Sequence, residues 1–294
     1  MTTSITKQKL RKSALARIIF GLIICFASLI IGQQIFTAIP GVSELNADVR
    51  NLIKGIFVSA LVLGSYWLFY SKYEKRKIAE LSSKSFGKHL LSGIVIGSGL
   101  QVLTILIIYL FADFEVVAVN PVNTLIIPFT VAFTVAILEE VLIRGIIFRI
   151  AEEKLGSVIA IIISCVIFAG LHLVNPHVTA VSILCIIAVG VLLAAAYMYY
   201  KSLWVPIAIH FAWNFSQNGI FGAITSGNEK TSSLLTSKIS GPEILTGGGF
   251  GPEGSIQAVL LCTISAAIIL WQVYKKHKKV MPYTESQKVN ILSV

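Results

Sequence analysis

Residues 131–148 have the sequence VAFTVAILEEVLIRGIIF, in which two glutamates and one arginine interrupt an otherwise apolar stretch. A charge at the centre of a bilayer costs roughly 2.5–3.5 kcal/mol on insertion scales, so charges kept at that depth indicate a function. Residues four apart share a helix face, which predicts an ion pair between Glu140 and Arg144. Glu139 is turned by about 100° from Glu140 and is predicted to face elsewhere. The structural alternative is an ion pair beside a protonated glutamic acid.

Two neighbouring apolar stretches repeat the spacing of four. Phe168 and His172 share one predicted helix face, and Gly170 between them is predicted to permit close approach of another helix. His210 and Asn214 share a face of a later helix. Two neutral donors aimed at one point suit a developing oxyanion. They could equally orient a water molecule, ligate a metal or clamp two helices together.

The composition is that of a membrane protein. Of 294 residues, 55% are hydrophobic and 13% are charged, whereas a soluble domain has about 25% charged residues. The net charge of +10 does not indicate nucleic-acid binding, because the basic residues lie in short connections between apolar runs. The four cysteines lie inside apolar runs without CxxC spacing, so we predict buried hydrophobic residues rather than zinc ligands: Cys25, Cys165, Cys185 and Cys262.

The apolar runs predict an all-α, polytopic integral membrane protein with about eight transmembrane helices. A spanning helix needs about 20 mostly apolar residues. The predicted spans are 18–36, 53–71, 90–111, 122–148, 157–174, 179–200, 203–219 and 255–274.

The distribution of basic residues predicts that both termini are cytoplasmic. With the N-terminus inside, 19 Lys and Arg fall on the cytoplasmic side and 4 on the external side. We expect the membrane to be the bacterial cytoplasmic membrane. By the predicted bounds, Glu139 and His172 differ in depth by roughly 7–8 Å. We expect the polar site to open towards the cytoplasm.

The three motifs together resemble a known family. EExxxR at Glu139, FxxxH at Phe168 and HxxxN at His210, each on its own membrane helix, resemble the CPBP intramembrane proteases, which include Rce1-like CAAX prenyl endopeptidases and bacterial Abi-type proteins. The resemblance covers about residues 120–219. It implies that Glu139 and His172 activate a water molecule. It further implies that His210 and Asn214 stabilise the oxyanion. Supporting roles are implied for Glu140, Arg144 and Phe168.

The predicted spans and the extent of the resemblance together divide the chain into four expected parts. Residues 1–119 form a three-helix membrane region with a basic cytoplasmic N-terminus, and residues 120–219 form the catalytic helical core. Residues 220–254 are an external loop rich in Gly, Ser, Thr and Pro, which is either a flexible linker or a lid. Residues 255–294 are the last transmembrane helix and a basic cytoplasmic tail.

The implied activity is that of an intramembrane endopeptidase of the glutamic type. The expected partners are a membrane-associated protein or peptide substrate and the lipid bilayer, with no nucleic acid and no required cofactor. The metal-dependent alternative is zinc bound by Glu139, His172 and His210, with water in the fourth position. The functional alternative is a non-catalytic membrane immunity or scaffold protein, or a small transporter, that uses the same polar cluster.

Overall fold

The computed structural model describes residues 13–280, with side chains to residue 276. The basic N-terminal stretch before residue 13 and the tail after residue 280 lie outside the described residues. The chain is mostly helical, as predicted. We number the helices in chain order as α1 (Ala14–Thr37), α2 (Ala47–Tyr73), α3 (Phe86–Phe111), α4 (Ile126–Glu140), α5 (Arg149–Leu155), α6 (Ser157–His172), α7 (Ala180–Tyr200), α8 (Trp204–Asn214), α9 (Glu243–Thr246) and α10 (Ile256–Val280).

Six helical segments within the described residues are long and apolar enough to cross a membrane, so the predicted count of eight is not confirmed. The predicted spans 157–174 and 203–219 correspond to shorter helices. Helix α6 has 16 residues, about 24 Å, whereas a typical hydrocarbon core is about 30 Å thick. Helix α8 has 11 residues and continues as a π-helical turn, Phe215–Ile220. Helix α6 ends at His172 and α8 at Asn214, two of the predicted site residues.

Helices α4 and α5 form one continuous rod through a π-helical turn, Val141–Phe148. The helix therefore ends at Leu155 instead of the predicted residue 148. Glu139 lies 16 residues before Leu155, and His172 lies 15 residues after Ser157, the first residue of α6. Leu155 and Ser157 lie at the same turn between α5 and α6, so similar numbers of residues separate Glu139 and His172 from that turn. The two side chains therefore lie at similar depth. The predicted mismatch in depth came from ending the helix too early.

A two-stranded antiparallel sheet adds to the helices. Strand β1 (Asp113–Val119) pairs with β2 (Leu235–Ser240), with an irregular register between Val116 and Ala118. Both strands lie in segments that were predicted to be connections. The pairing holds part of residues 220–254 against the end of α3, so this segment is folded against the helices and is not a flexible linker.

Close contact between α3 and α8 depends on two glycines. A Cβ atom at Gly93 would lie 2.4 Å from Ala208 Cβ, and one at Gly97 would lie 2.3 Å from the carbonyl oxygen of Ile209. Gly170, which was predicted to permit such an approach, has no heavy atom of another element within 4 Å of its would-be Cβ, so that prediction was wrong. Helix α3 thus sets the position of α8, which carries His210 and Asn214.

The four cysteines are buried and form no disulfide bonds, as predicted.

A buried ionic network at the end of α2 was not predicted. The Glu74 carboxylate accepts from Arg17 Nε at 2.7 Å, Arg76 Nε at 2.7 Å and Arg149 Nη1 at 3.1 Å. Arg76 also pairs with the buried Glu80. Arg17, Arg76 and Arg149, which contributed only to the prediction of topology, therefore hold α1, α2 and α5 together through Glu74.

Candidate active site

The predicted ion pair between Glu140 and Arg144 is confirmed. Arg144 Nη1 donates to Glu140 Oε1 at 2.7 Å, and both side chains are fully buried. Arg144 Nη2 also donates to the carbonyl oxygen of Gly190 on α7, at 3.1 Å. The guanidinium carbon lies 4.7 Å from the centre of the Phe168 ring, within the range of a cation–π contact. The pair therefore fixes α4 against α6 and α7.

Glu139 faces away from this pair, as predicted. Its side chain is 28% exposed, whereas that of Glu140 is inaccessible. Glu139 Oε2 has no hydrogen-bond partner among the described residues. Nε2 of the His210 imidazole lies 3.8 Å from Glu139 Oε2, which is longer than a hydrogen bond. One of the two adjacent carboxylates is thus neutralised and the other is free.

His210 lies between the two glutamates. Its Nδ1 is 3.1 Å from Glu140 Oε1, and its Nε2 is on the side of Glu139. Because Glu140 is paired with Arg144, it is an acceptor, so Nδ1 of His210 is the donor. Glu140 therefore fixes the orientation of the imidazole and leaves Nε2 directed towards Glu139.

The backbone of its own helix orients His172. Its Nδ1 lies 2.9 Å from the carbonyl oxygen of Phe168. A carbonyl oxygen only accepts, so Nδ1 carries the proton and Nε2 of the neutral ring is left as an acceptor. The centre of the Phe168 ring lies 4.7 Å from that of His172 and 6.3 Å from that of His210. Phe168 thus contacts both imidazoles edge to face.

A cavity of about 460 Å³ brings the predicted reactive residues together. Its lining includes the side chains that the resemblance assigns to chemistry: Glu139, His172, His210 and Asn214. Glu140 and Arg144 do not line it, and Phe168 lines a small apolar pocket beside it. The arrangement separates residues that contact the cavity from residues that hold them in place.

Part of the cavity wall was not predicted. It comes from residues 225–231 and from polar residues at the ends of α6 and α8: Asn175, Asn218, Thr225, Ser226, Asn228, Glu229 and Thr231. In the topology predicted from the charge distribution, residues 220–254 are external. In that topology the cavity would lie on the side opposite to the predicted cytoplasmic opening. The only sequence signal was the polar, turn-rich composition of this segment.

Glu253 connects this wall to helix α8. Its Oε1 accepts from the backbone N–H of Ser226 and from the Ser226 hydroxyl at 2.6 Å. Its Oε2 accepts from the indole Nε1 of Trp213 at 3.0 Å. Trp213 is the residue before Asn214, so a buried carboxylate connects the wall to the end of α8. Sequence reasoning missed Glu253 because its partners are distant in the chain.

The zinc alternative needs three side chains around one point. Within the described residues, no three His, Cys, Asp or Glu side chains are grouped so that they could share a metal ion.

Comparison with known proteins supports the resemblance. Residues 121–216 match the family described as type II CAAX prenyl endopeptidase, Rce1-like. Searches of curated proteins and of solved structures found no match. The matched segment contains all seven predicted site residues. The chain therefore carries, in residues 121–216, the sequence pattern of the Rce1-like type II CAAX prenyl endopeptidases, which at family level indicates an intramembrane endopeptidase.

Proposed function

We propose that this protein hydrolyses peptide bonds of membrane-associated proteins or peptides with a water molecule activated by Glu139 and His172. The observation that carries the proposal is the shared cavity of Glu139, His172, His210 and Asn214. A free carboxylate, an imidazole acceptor and two further polar side chains surround one space. This is the set of groups that water-dependent acyl transfer needs.

In the proposed mechanism, Glu139 and His172 activate the water molecule. The unpartnered Oε2 of Glu139 takes a proton from water, while Nε2 of His172 accepts the second hydrogen bond. The resulting hydroxide adds to the carbonyl carbon of the substrate. Glu139 then passes the proton to the leaving nitrogen as the C–N bond breaks. The products are a carboxylic acid and an amine, and no acyl-enzyme forms.

In the proposed mechanism, His210 and Asn214 stabilise the tetrahedral oxyanion. Nδ1 of His210 is engaged by Glu140, so Nε2 is the atom that can donate to the oxyanion. This requires a ring that carries protons on both nitrogens. The Asn214 amide supplies a second, neutral donor. Because Glu140 and Arg144 already fix the ring, little reorganisation accompanies the reaction.

The reaction needs no metal ion in this proposal. The fully buried pair of Glu140 and Arg144 supplies fixed charges behind the cavity, and the free Glu139 supplies the base.

Cleavage by the purified, reconstituted full chain tests the proposal. Wild type and Glu139→Gln are compared on a library of membrane-associated peptides, with and without a strong chelator. We expect Glu139→Gln to lose at least about 10²-fold in rate, the lower range for removal of a general base. Glu243→Gln, an exposed carboxylate on the 220–254 segment, is the matched control and should keep full activity.

Each alternative outcome has a distinct meaning. Full cleavage by Glu139→Gln would overturn the proposed mechanism. Cleavage that chelator abolishes and zinc restores would place Glu139, His172 and His210 around a metal. Absence of cleavage by a folded wild type over the whole library would favour the non-catalytic membrane protein.

A further inference from the structure

A second cavity, of about 690 Å³, lies at the other end of the helices from the candidate active site. Two connections form it: residues 77–85, between α2 and α3, and residues 201–202, between α7 and α8. The two connections are joined by a hydrogen bond from the backbone N–H of Leu203 to the carbonyl oxygen of Glu80, at 2.9 Å. This cavity shares no lining residue with the candidate active site.

The lining of this cavity carries positive charge. Lys77, Lys84 and Lys201 line it, and no Asp or Glu is among its lining residues. None of these lysines forms an ion pair within residues 13–276. The nearby Glu80 is buried and accepts from Arg76 and from the hydroxyl of Tyr66. Three lysines therefore line one open space, and no carboxylate is among the lining residues.

Other polar groups lie beside the three lysines. The lining includes Ser85 and His89, and Nδ1 of His89 has no hydrogen-bond partner among the described residues. Helix α3, with 26 residues, begins immediately after Ser85, and no side chain caps its N-terminus. The positive end of the helix dipole thus lies beside the lysines and favours the same kind of ligand.

The position of the cavity matches the headgroup level of a membrane. Trp67 lines it and is 51% exposed. Trp204 and Phe86 form an edge-to-face pair beside it, with ring centres 4.9 Å apart. Tryptophan is enriched where hydrocarbon meets headgroups. The cavity also lies on the lysine-rich side, which faces the anionic leaflet in the predicted topology.

We propose that this cavity binds the phosphate headgroup of an anionic phospholipid. Lys77, Lys84 and Lys201 contact the phosphate, and Ser85 at the start of α3 donates to it. Trp67 packs against the beginning of an acyl chain. The bound lipid would hold the α2–α3 and α7–α8 connections together, and the latter leads directly into α8. The proposal does not depend on the peptidase activity.

Lipid binding to the full chain tests this site. The detergent-solubilised protein is titrated with phosphatidylglycerol, phosphatidylcholine or inorganic phosphate, and bound ligand is measured by native mass spectrometry. The triple variant Lys77→Gln, Lys84→Gln, Lys201→Gln is compared with a matched triple, Lys72→Gln, Lys75→Gln, Lys88→Gln. The lysines of the matched triple are exposed on the same side and lie outside the cavity. Their substitution removes the same amount of charge as the cavity triple.

We expect the cavity triple to weaken phosphatidylglycerol binding at least about tenfold, since each lysine near an anionic surface contributes about fivefold. The matched triple should lose much less, and phosphatidylcholine should bind weakly to every variant. Equal losses in the two triples would show diffuse surface attraction and overturn the site. Binding of inorganic phosphate as tight as that of the lipid would overturn the lipid assignment. Thermal unfolding of each variant checks that the exposed substitutions leave the fold intact.

Discussion

At the scale of single residues, two adjacent glutamates occupy different environments. Glu140 is fully buried and paired with Arg144, while Glu139 is partly exposed and unpaired. The difference follows from helix geometry, because consecutive residues point about 100° apart. The sequence predicted this division correctly. The sequence did not predict that Glu140 also orients His210, because that contact joins residues 70 positions apart.

Loss of the Glu140 charge is expected to damage the fold, whereas loss of the Glu139 charge is not. Glu140→Gln leaves the buried guanidinium of Arg144 without its counter-charge, which typically costs about 3–5 kcal/mol of unfolding free energy. Glu139→Gln removes no ion pair of that kind and should unfold at the wild-type temperature. Thermal unfolding of the two variants in the same detergent checks this. Equal stability of both variants would contradict a structural role for Glu140.

Among the secondary-structure elements, the lengths of the apolar runs predicted most helices to within about six residues. Continuous apolar runs located α1, α2, α3, α7 and α10, because backbone groups in lipid must be satisfied within a helix. The prediction was incomplete where elements depend on partners. The β1–β2 pair joins segments more than 100 residues apart, and the rod of α4 and α5 continues through a π-helical turn past residue 148.

The contact between α3 and α8 gives a prediction with its own control on the same helix. Gly97→Ala places a Cβ 2.3 Å from the carbonyl oxygen of Ile209, so α8 must shift. Overpacking of this kind costs roughly 1–3 kcal/mol. Because α8 carries His210 and Asn214, peptidase activity should fall as well. Both effects are measured by thermal unfolding and by the cleavage assay.

Gly99→Ala is the matched control, since a Cβ at Gly99 would meet nothing within 4 Å. This variant should keep wild-type stability and activity. If Gly97→Ala behaved like Gly99→Ala, the close approach of α3 would not be what positions α8.

At the scale of the whole molecule, the ionic network around Glu74 predicts sensitivity to acid. Burial alone would raise the pKa of Glu74, but hydrogen bonds and charges from Arg149 and Arg17 outweigh it and lower the pKa. A lowered folded-state pKa means that the ionised carboxylate stabilises the fold at neutral pH. That contribution disappears as the pH falls through the lowered pKa.

Glu74→Gln should therefore be less stable than wild type at neutral pH, and the difference should shrink in acid. Unfolding temperatures measured from about pH 7 to about pH 3 would show the two curves converging. Glu243→Gln, which lies outside the network, should follow wild type throughout. A constant difference between Glu74→Gln and wild type across this range would contradict the titration of Glu74.

The orientation of the whole chain in the membrane can be tested by cysteine labelling. The charge distribution predicts that Lys238 is external and that Ser83 is cytoplasmic. In intact cells, a membrane-impermeant maleimide should label Lys238→Cys but not Ser83→Cys. Wild type provides the blank, because its four cysteines are buried. The reverse labelling would invert the topology and turn the candidate active site towards the cytoplasm.

The amino-acid sequence alone predicted the membrane class, most helix positions and the seven candidate site residues. These follow from local properties: apolar length, helical spacing and the cost of a charge in lipid. Tertiary structure alone decided that four of those residues share one cavity. It also placed residues 225–231, which Glu253 connects to α8, in the wall of that cavity. The three lysines of the second cavity come together only in the folded chain. These features join parts of the chain that are distant in sequence, and no local pattern encodes such contacts.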